Sequence, residues 1–311
     1  MSSSVPGEGR IGVLVMAYGT PASPADIELY YTHIRRGRPP SAEQVTELTG
    51  RYAAIGGISP LAARTEAQRA AIAAQLERIE PGRYVVRLGN KHAAPFVEDG
   101  VAQLAADAVT RIVGLVLAPH YSAFSVGEYH RRSTAAASEQ GIAFVGIDEW
   151  WDLAAFADHQ AGALRAVLAD TPSVTKVVFT AHSLPERVLE GDPYPDQLHR
   201  SAASIAARAG LDSWVDWATA WQSAGRTPEP WRGPDIAQVI ADLADTGRAA
   251  GIVVVPHGFT SDHLEVLYDL DVVAAQVARE HGLRFARTAV VNDDPAVMAA
   301  LAGRVAEVAG R

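Results

Sequence analysis

The feature that most restricts how this chain can fold is an echo within it. Val13–Pro21 reads VLVMAYGTP and Val177–Pro185 reads VVFTAHSLP. Aligned without gaps, each is an apolar run of strand length, then Ala, then a polar ring residue, Tyr18 or His182, then a turn closed by Pro. A second, weaker echo pairs VLAPHYSAFS (Val116–Ser125) with VVVPHGFTSD (Val253–Asp262), matching His120 to His257. Two echoes in the same order predict two halves of one plan, 10–150 and 151–311, with the last helix (about 294–309) packing back on the first half. Short β-branched runs alternate with long Ala-rich stretches, the pattern of an α/β chain with parallel sheets. Strands are predicted at Ile11–Ala17, Tyr84–Leu88, Ile112–Ala118, Ala143–Ile147, Lys176–Ala181 and Ile252–Pro256. In open parallel sheets ligands bind beyond the carboxyl ends of the strands. Tyr18 and His182 stand at such ends, so facing halves would present them across one cleft.

Composition narrows the chemistry. The chain holds no cysteine, which removes disulfides, thiolate metal sites and iron–sulfur clusters together. Its 27 basic and 36 acidic residues leave a net charge of −9, which argues against a general nucleic-acid binder. No apolar run approaches the ~20 residues of a membrane helix, and the polar start Met1–Arg10 lacks a signal-peptide core. The expected location is the cytoplasm. There is no GxGxxG and no phosphate loop.

Three segments carry candidate chemistry. A lone histidine at a strand exit is more often bonded to the following turn than reactive, but an imidazole such as His182 also binds metals or takes a proton near neutral pH. The segment TSDHLEVLYDLD (Thr260–Asp271) crowds Asp262, His263, Glu265, Asp269 and Asp271 together. Glu265 and Asp269 are spaced to share one helix face, where like charges repel unless a cation lies between them. His263 and Glu265 would converge only if a π-bulge widened the turn. Imidazole and carboxylate donors without thiolates suit a divalent metal such as ferrous iron. The alternative reading is an acidic helix start favoured by the dipole. Near the N-terminus, Tyr30, Tyr31, His33, Arg35, Arg36 and Arg38 cluster, with Arg51 and Tyr52 following. Arg binds carboxylates bidentately and aromatic rings stack on flat ligands, so the cluster fits an anionic, planar partner, or else a solvated helix end. Trp221 and Trp231 are expected in a Pro-rich loop that lines a pocket or forms a packed corner.

Together these segments resemble the ferrochelatase family, in particular its soluble, cluster-free bacterial branch that makes coproheme. The resemblance is carried by LVMAYGTP, YYTHIRRGR, RYAAIGGISPLA, KHAAPFVEDGV, LAPHYSAFSVGEYHRR, TAHSLPERV, GDPYPDQLH, WQSAGRTPEPWRGPD and GFTSDHLEVLYDLD, in family order over nearly the whole chain. It implies two Rossmann-like domains whose parallel sheets face across a porphyrin-binding cleft, and insertion of ferrous iron into coproporphyrin III. By match, His182 and Glu265 are the catalytic, metal-contacting pair. Tyr18 lies on the opposite face of the macrocycle, and Arg35, Arg51, Tyr52, Ser59, Tyr129 and His92 hold the porphyrin and its propionates. Iron enters as substrate, with no permanent cofactor and no cluster. The expected enzyme is a monomer with no integral membrane contact that hands product to a coproheme-handling enzyme. Two departures stand out. Val273 sits where relatives continue the acidic row beyond Asp269, which removes support for an outer metal site. His257 replaces an apolar residue and is expected to pack. Use of protoporphyrin, and a porphyrin carrier without turnover, are the competing readings.

Overall fold

The computed structural model describes residues 9–172, 174–211 and 216–310. Most of the polar start on which the leader expectation rests, and residue 311, lie outside the described residues. The first sheet contains β1 (Ile11–Ala17), β2 (Tyr84–Asn90), β3 (Arg111–Val116) and β4 (Ala143–Ile147), in the order β2-β1-β3-β4. The second contains β5 (Thr175–His182), β6 (Trp217–Gln222), β7 (Gly251–Val255) and β8 (Arg284–Arg287), in the order β6-β5-β7-β8. Every pairing is parallel. The two orders are the same once β1 is matched to β5, and the first echo lies on those two central strands. Because helices cover both faces, β1 is buried at all seven positions, which is why it reads as an unbroken apolar run.

The helices are α1 (Ile27–Ile34), α2 (Ala42–Ala54), α3 (Leu61–Ile79), α4 (Val97–Ala106), α5 (Val126–Glu139), α6 (Ala154–Leu168), α7 (Glu186–Leu189), α8 (Tyr194–Ala209), α9 (Ile236–Asp245), α10 (Ala275–Glu280) and α11 (Pro295–Ala309). A π-helix, Val266–Ala274, runs directly into α10. Asp294 caps α11 by accepting from Ala296 and Val297 N–H at 3.0 Å, with Pro295 in the first turn. Ser23 does not cap in that way; its hydroxyl donates to Asp26 Oδ2 at 2.7 Å. Among the described residues no helix is long and apolar enough to cross a membrane.

Three elements escape the sequence pattern. β6 occupies Trp217–Gln222, so Trp221 is a buried strand residue and lines no exposed loop. Trp231 alone occupies the Pro-rich corner, where its indole N–H donates to Thr227 at 2.9 Å. β8 is four residues long with an arginine at each end, and α7 is a single turn. β8 and α7, four residues each, are too short to show a period.

One apolar cluster takes side chains from both sheets and from α3, α6, α8 and α11, including Val15, Leu115, Phe156, Phe179, Val255 and Leu301. α11 lies against α3 as well as α6. Polar ties reinforce the junction. Gln68 Nε2 donates to the Asn292 carbonyl at 2.8 Å, Ser261 donates to Gln68 Oε1 at 3.0 Å, and Thr260 donates to the Leu117 carbonyl at 2.7 Å. The echoed histidines meet here, with the rings of His120 and His257 edge to face at 5.4 Å. His257 is buried, and its Nε2 lies 3.1 Å from the Leu198 carbonyl. Burial pulls it down to about 4, so it packs as a neutral ring.

Two glycines shape the strand exits. Gly19, directly after Tyr18, has φ +85°, the left-handed region that favours glycine. Gly258 passes over the end of β5, where an added Cβ would stand 2.4 Å from Ala181 Cβ and 2.8 Å from its Cα. Gly258→Ala should therefore destabilise the protein by about 1–3 kcal/mol through overpacking, read as a lower urea midpoint with unchanged slope; an unaltered midpoint would show that the crossing has slack.

Candidate active site

His182 ends β5, and Glu265 lies in the turn that leads into the π-helix. Nε2 of His182 stands 3.5 Å from Glu265 Oε1. The other ring nitrogen, Nδ1, lies 2.5 Å from the Ser183 carbonyl. A carbonyl accepts only, so Nδ1 keeps its proton and Nε2 is the atom that exchanges one. Burial by itself would lower the imidazole pKa, but the Glu265 carboxylate and the Ser183 carbonyl outweigh it and hold it up at about 9. Burial likewise pushes Glu265 upward, and the His182 charge overcomes this and holds it down at about 2. Of the side-chain surfaces of the pair, 35% and 39% remain open.

The π-helix begins only at Val266, beyond both His263 and Glu265, so it does not supply the widened turn between them, and His263 has another task. Its Nδ1 accepts from the Glu265 N–H at 3.0 Å and the Val266 N–H at 3.4 Å, capping the helix start. One step along the acidic row, Asp269 accepts from the Ser223 hydroxyl at 2.5 Å. Burial raises its carboxyl to about 6. Val273 follows, 37% exposed, so the row stops at two carboxylates. Among the described residues no three His, Asp or Glu side chains converge as a metal-holding group.

Tyr18, at the exit of β1, is 43% exposed. Its ring lies 4.6 Å from that of His92. The Nδ1 atoms of His92 and His33 are 3.0 Å apart, and His33 stacks on Phe96. Burial, then the charges of Lys91 and His33, lower His92 to about 3, so it is neutral. The Tyr18 hydroxyl is raised by burial and next by the Glu265 charge, and the same charge raises Tyr52 and Tyr194.

Tyr52 is buried with its hydroxyl 3.4 Å from that of Thr20. Arg51 lies 5.4 Å from the ring of Tyr268, which sits in the π-helix between Glu265 and Asp269. Tyr129 is buried under Lys91, whose Nζ is 5.5 Å from the ring and 2.7 Å from Glu128. Arg35 and Ser59 are engaged locally instead. Arg35 donates to the Arg38 carbonyl at 3.2 Å, and Ser59 accepts from the Leu61 N–H at 3.2 Å as α3 begins. Sequence reasoning left Tyr194 and Ser223 without roles. Tyr194 donates to the His182 carbonyl at 3.3 Å; its only signal was its place in the GDPYPDQLH run. Two further hollows, one along α5 near His130 and one where α6 meets β7 and β8, contain none of these residues.

The ferrochelatase family model matches residues 10–309. This chain belongs to the ferrochelatase family. It is 44% identical over 301 residues to the coproporphyrin III ferrochelatase of Geobacillus kaustophilus, covering 94% of each chain. It is 42% identical over 309 residues to that of Bacillus subtilis, covering 97% of this chain and 99% of the relative. Among solved structures, SirB from Bacillus subtilis with Fe3+ superposes with a TM-score of 0.57 at 15% identity, covering 96% of both chains. CbiX, described as the terminal enzyme for biosynthesis of siroheme in denitrifying bacteria, superposes at 0.54 and 17% identity, covering 96% of this chain and 99% of that one. Those two likenesses concern the two-sheet fold alone.

In metal-free buffer the pH dependence of the pair has a definite sign. The raised His182 contributes stability that is complete below its ordinary 6.5 and is lost as pH climbs through about 9. The lowered Glu265 contributes stability that is complete above 4.5 and is lost as pH falls toward about 2. An NMR titration should place His182 well above 6.5 in the native sequence and below it in Glu265→Gln, where burial acts without its counter-charge. Equal values in the two proteins would dissolve the pair.

Proposed function

We infer that this enzyme is a coproporphyrin III ferrochelatase, a lyase that inserts ferrous iron into coproporphyrin III to give coproheme for heme b biosynthesis. The observation that carries the reading is the His182–Glu265 pair, 3.5 Å apart and partly open, with Arg51 of the other half over Tyr268 beside it. The full-length relatives support the same substrate.

Insertion replaces two pyrrole protons by one Fe2+, so the site must deliver a partly dehydrated cation and remove two protons. A nitrogen and an oxygen 3.5 Å apart suit both tasks. A cation bonded at about 2.1 Å to each would subtend roughly 110°, an unstrained angle; without a cation, the same two atoms share a proton. The Ser183 carbonyl keeps Nδ1 protonated, so Nε2 makes that exchange, and the carboxylate offsets positive charge in either state. Asp269, poised near pH 6, stands behind Glu265 as the next proton acceptor. Tyr18 lies on the far side of the macrocycle, with His92 beside it as a neutral ring. Arg51 holds a peripheral propionate, Arg35 and Ser59 reach others by exchanging their local contacts, and Tyr52 and Tyr129 flank the ring. Binding energy at that periphery offsets the cost of presenting the ring nitrogens to iron.

Four propionates make coproporphyrin the better match to an arginine-rich cleft than a two-propionate ring. No cysteine is available to hold a cluster, and iron passes through as substrate. The enzyme is read as a cytoplasmic monomer whose product goes to a coproheme-handling enzyme. Anaerobic mixing with ferrous iron and either coproporphyrin or protoporphyrin separates the alternatives. Faster turnover of coproporphyrin is expected. Preference for the divinyl ring would reassign the substrate, and tight binding without the product spectrum would make the protein a carrier. His182→Ala should nearly abolish insertion while porphyrin affinity stays within about tenfold, because the loss falls on the reacting centre; turnover like the native enzyme's would remove His182 from the mechanism. Arg51→Ala should weaken coproporphyrin binding by about 1.5 kcal/mol, and unchanged affinity in an equilibrium titration would assign Arg51 to the solvated surface.

A further inference from the structure

Glu47, on α2, accepts from two arginines at once. Arg51, four residues on, donates from Nη2 to Oε1 at 2.8 Å. Arg226 belongs to the other half, in the segment that follows β6. It reaches across and donates through Nη1 to Oε2 and through Nη2 to Oε1. Two guanidinium groups, one from each half, thus converge on a single carboxylate. Together they hold Glu47 below the usual carboxylate range, Arg226 more strongly than Arg51.

The meeting point borders the iron site. Arg51 lies over Tyr268, between Glu265 and Asp269. The segment that carries Arg226 leaves β6 through Ser223, whose hydroxyl is bound to Asp269. Near this site the second half presents the acids Glu265 and Asp269, and Arg226 adds a cation to that rim. The side chains of Arg226 and Glu47 are 67% and 39% exposed. Exposed pairs of this kind contribute little to stability, so the contact is a poor strut and is exchanged at small cost. Its geometry suits recognition better, because Arg forks fit carboxylates bidentately.

We propose that Arg226 and Arg51 form a two-armed clamp for one peripheral carboxylate of the porphyrin, and that Glu47 is an internal competitor which this carboxylate displaces. The clamp rests on the coproporphyrin reading given above and adds a substrate-binding residue from the second half.

The test is a fluorescence titration of the full chain with coproporphyrin III, without iron. Arg226→Ala should raise Kd about five- to tenfold, and Arg226→Lys should recover only part of the loss, since it keeps the charge but not the fork. Glu47→Gln should leave Kd unchanged or lower it, because it weakens the competitor. A purely structural strap predicts the opposite, with Glu47→Gln and Arg226→Ala weakening binding alike; that result, or an unchanged Kd in Arg226→Ala, overturns the clamp. The parent reading fails separately: a native protein that neither binds coproporphyrin nor inserts iron refutes both, whereas native binding and turnover with an indifferent Arg226→Ala refute the clamp alone.

Discussion

The site exists because one apolar core holds both sheets. Val15 and Leu115 from the first sheet, Phe179 and Val255 from the second, and Phe156 and Leu301 from the helices pack in a single cluster. Burial at this scale is the dominant favourable term in folding, and it fixes how the carboxyl ends of β1 and β5 face one another. Tyr18 and His182 inherit their relation from that packing. The polar ties through Gln68, Thr260 and Asn292 set the register of the junction at a cost that the surrounding apolar contacts offset. The same junction brings the equivalent residues His120 and His257 together.

The chemistry is concentrated where that frame places opposite charges in a partly open slot. A carboxylate or an imidazolium taken from water without a partner is costly. Here each supplies the other's compensation, and both keep access to the cleft. The pair leaves one nitrogen and one oxygen 3.5 Å apart in a slot that does not enclose them. Helix geometry contributes as well. The π-helix begins immediately after Glu265, and such segments recur at functional sites because they re-aim side chains that a regular helix would direct elsewhere.

Much of this was legible in the sequence, and for identifiable reasons. The central strands β1 and β5 are fully covered, so their apolar runs stand out, and the echo between them carried the two-sheet plan. His182 at a strand exit and Glu265 in an acidic segment were visible as candidates, and only the family resemblance joined them as a pair. The role of His263 was not visible, because a cap is a matter of backbone direction, and its spacing from Glu265 spoke only against convergence on a regular helix. β6 was hidden by tryptophans beside a Pro-rich stretch, although Trp217 packs against Phe179 in the core. β8 was hidden by its flanking arginines. The partnership of Glu47 with Arg226 spans 179 positions, and no local pattern announces such a contact.

α11, the final helix, lies against α3 of the first half. The chain therefore cannot complete its leading half before its closing segment has been made. Domains usually mature in order of synthesis, but here the N-terminal sheet must wait, incompletely covered, for residues almost three hundred positions later. A newly made chain accordingly gains the His182–Glu265 pair and the cover on α3 only after most of its length has been made.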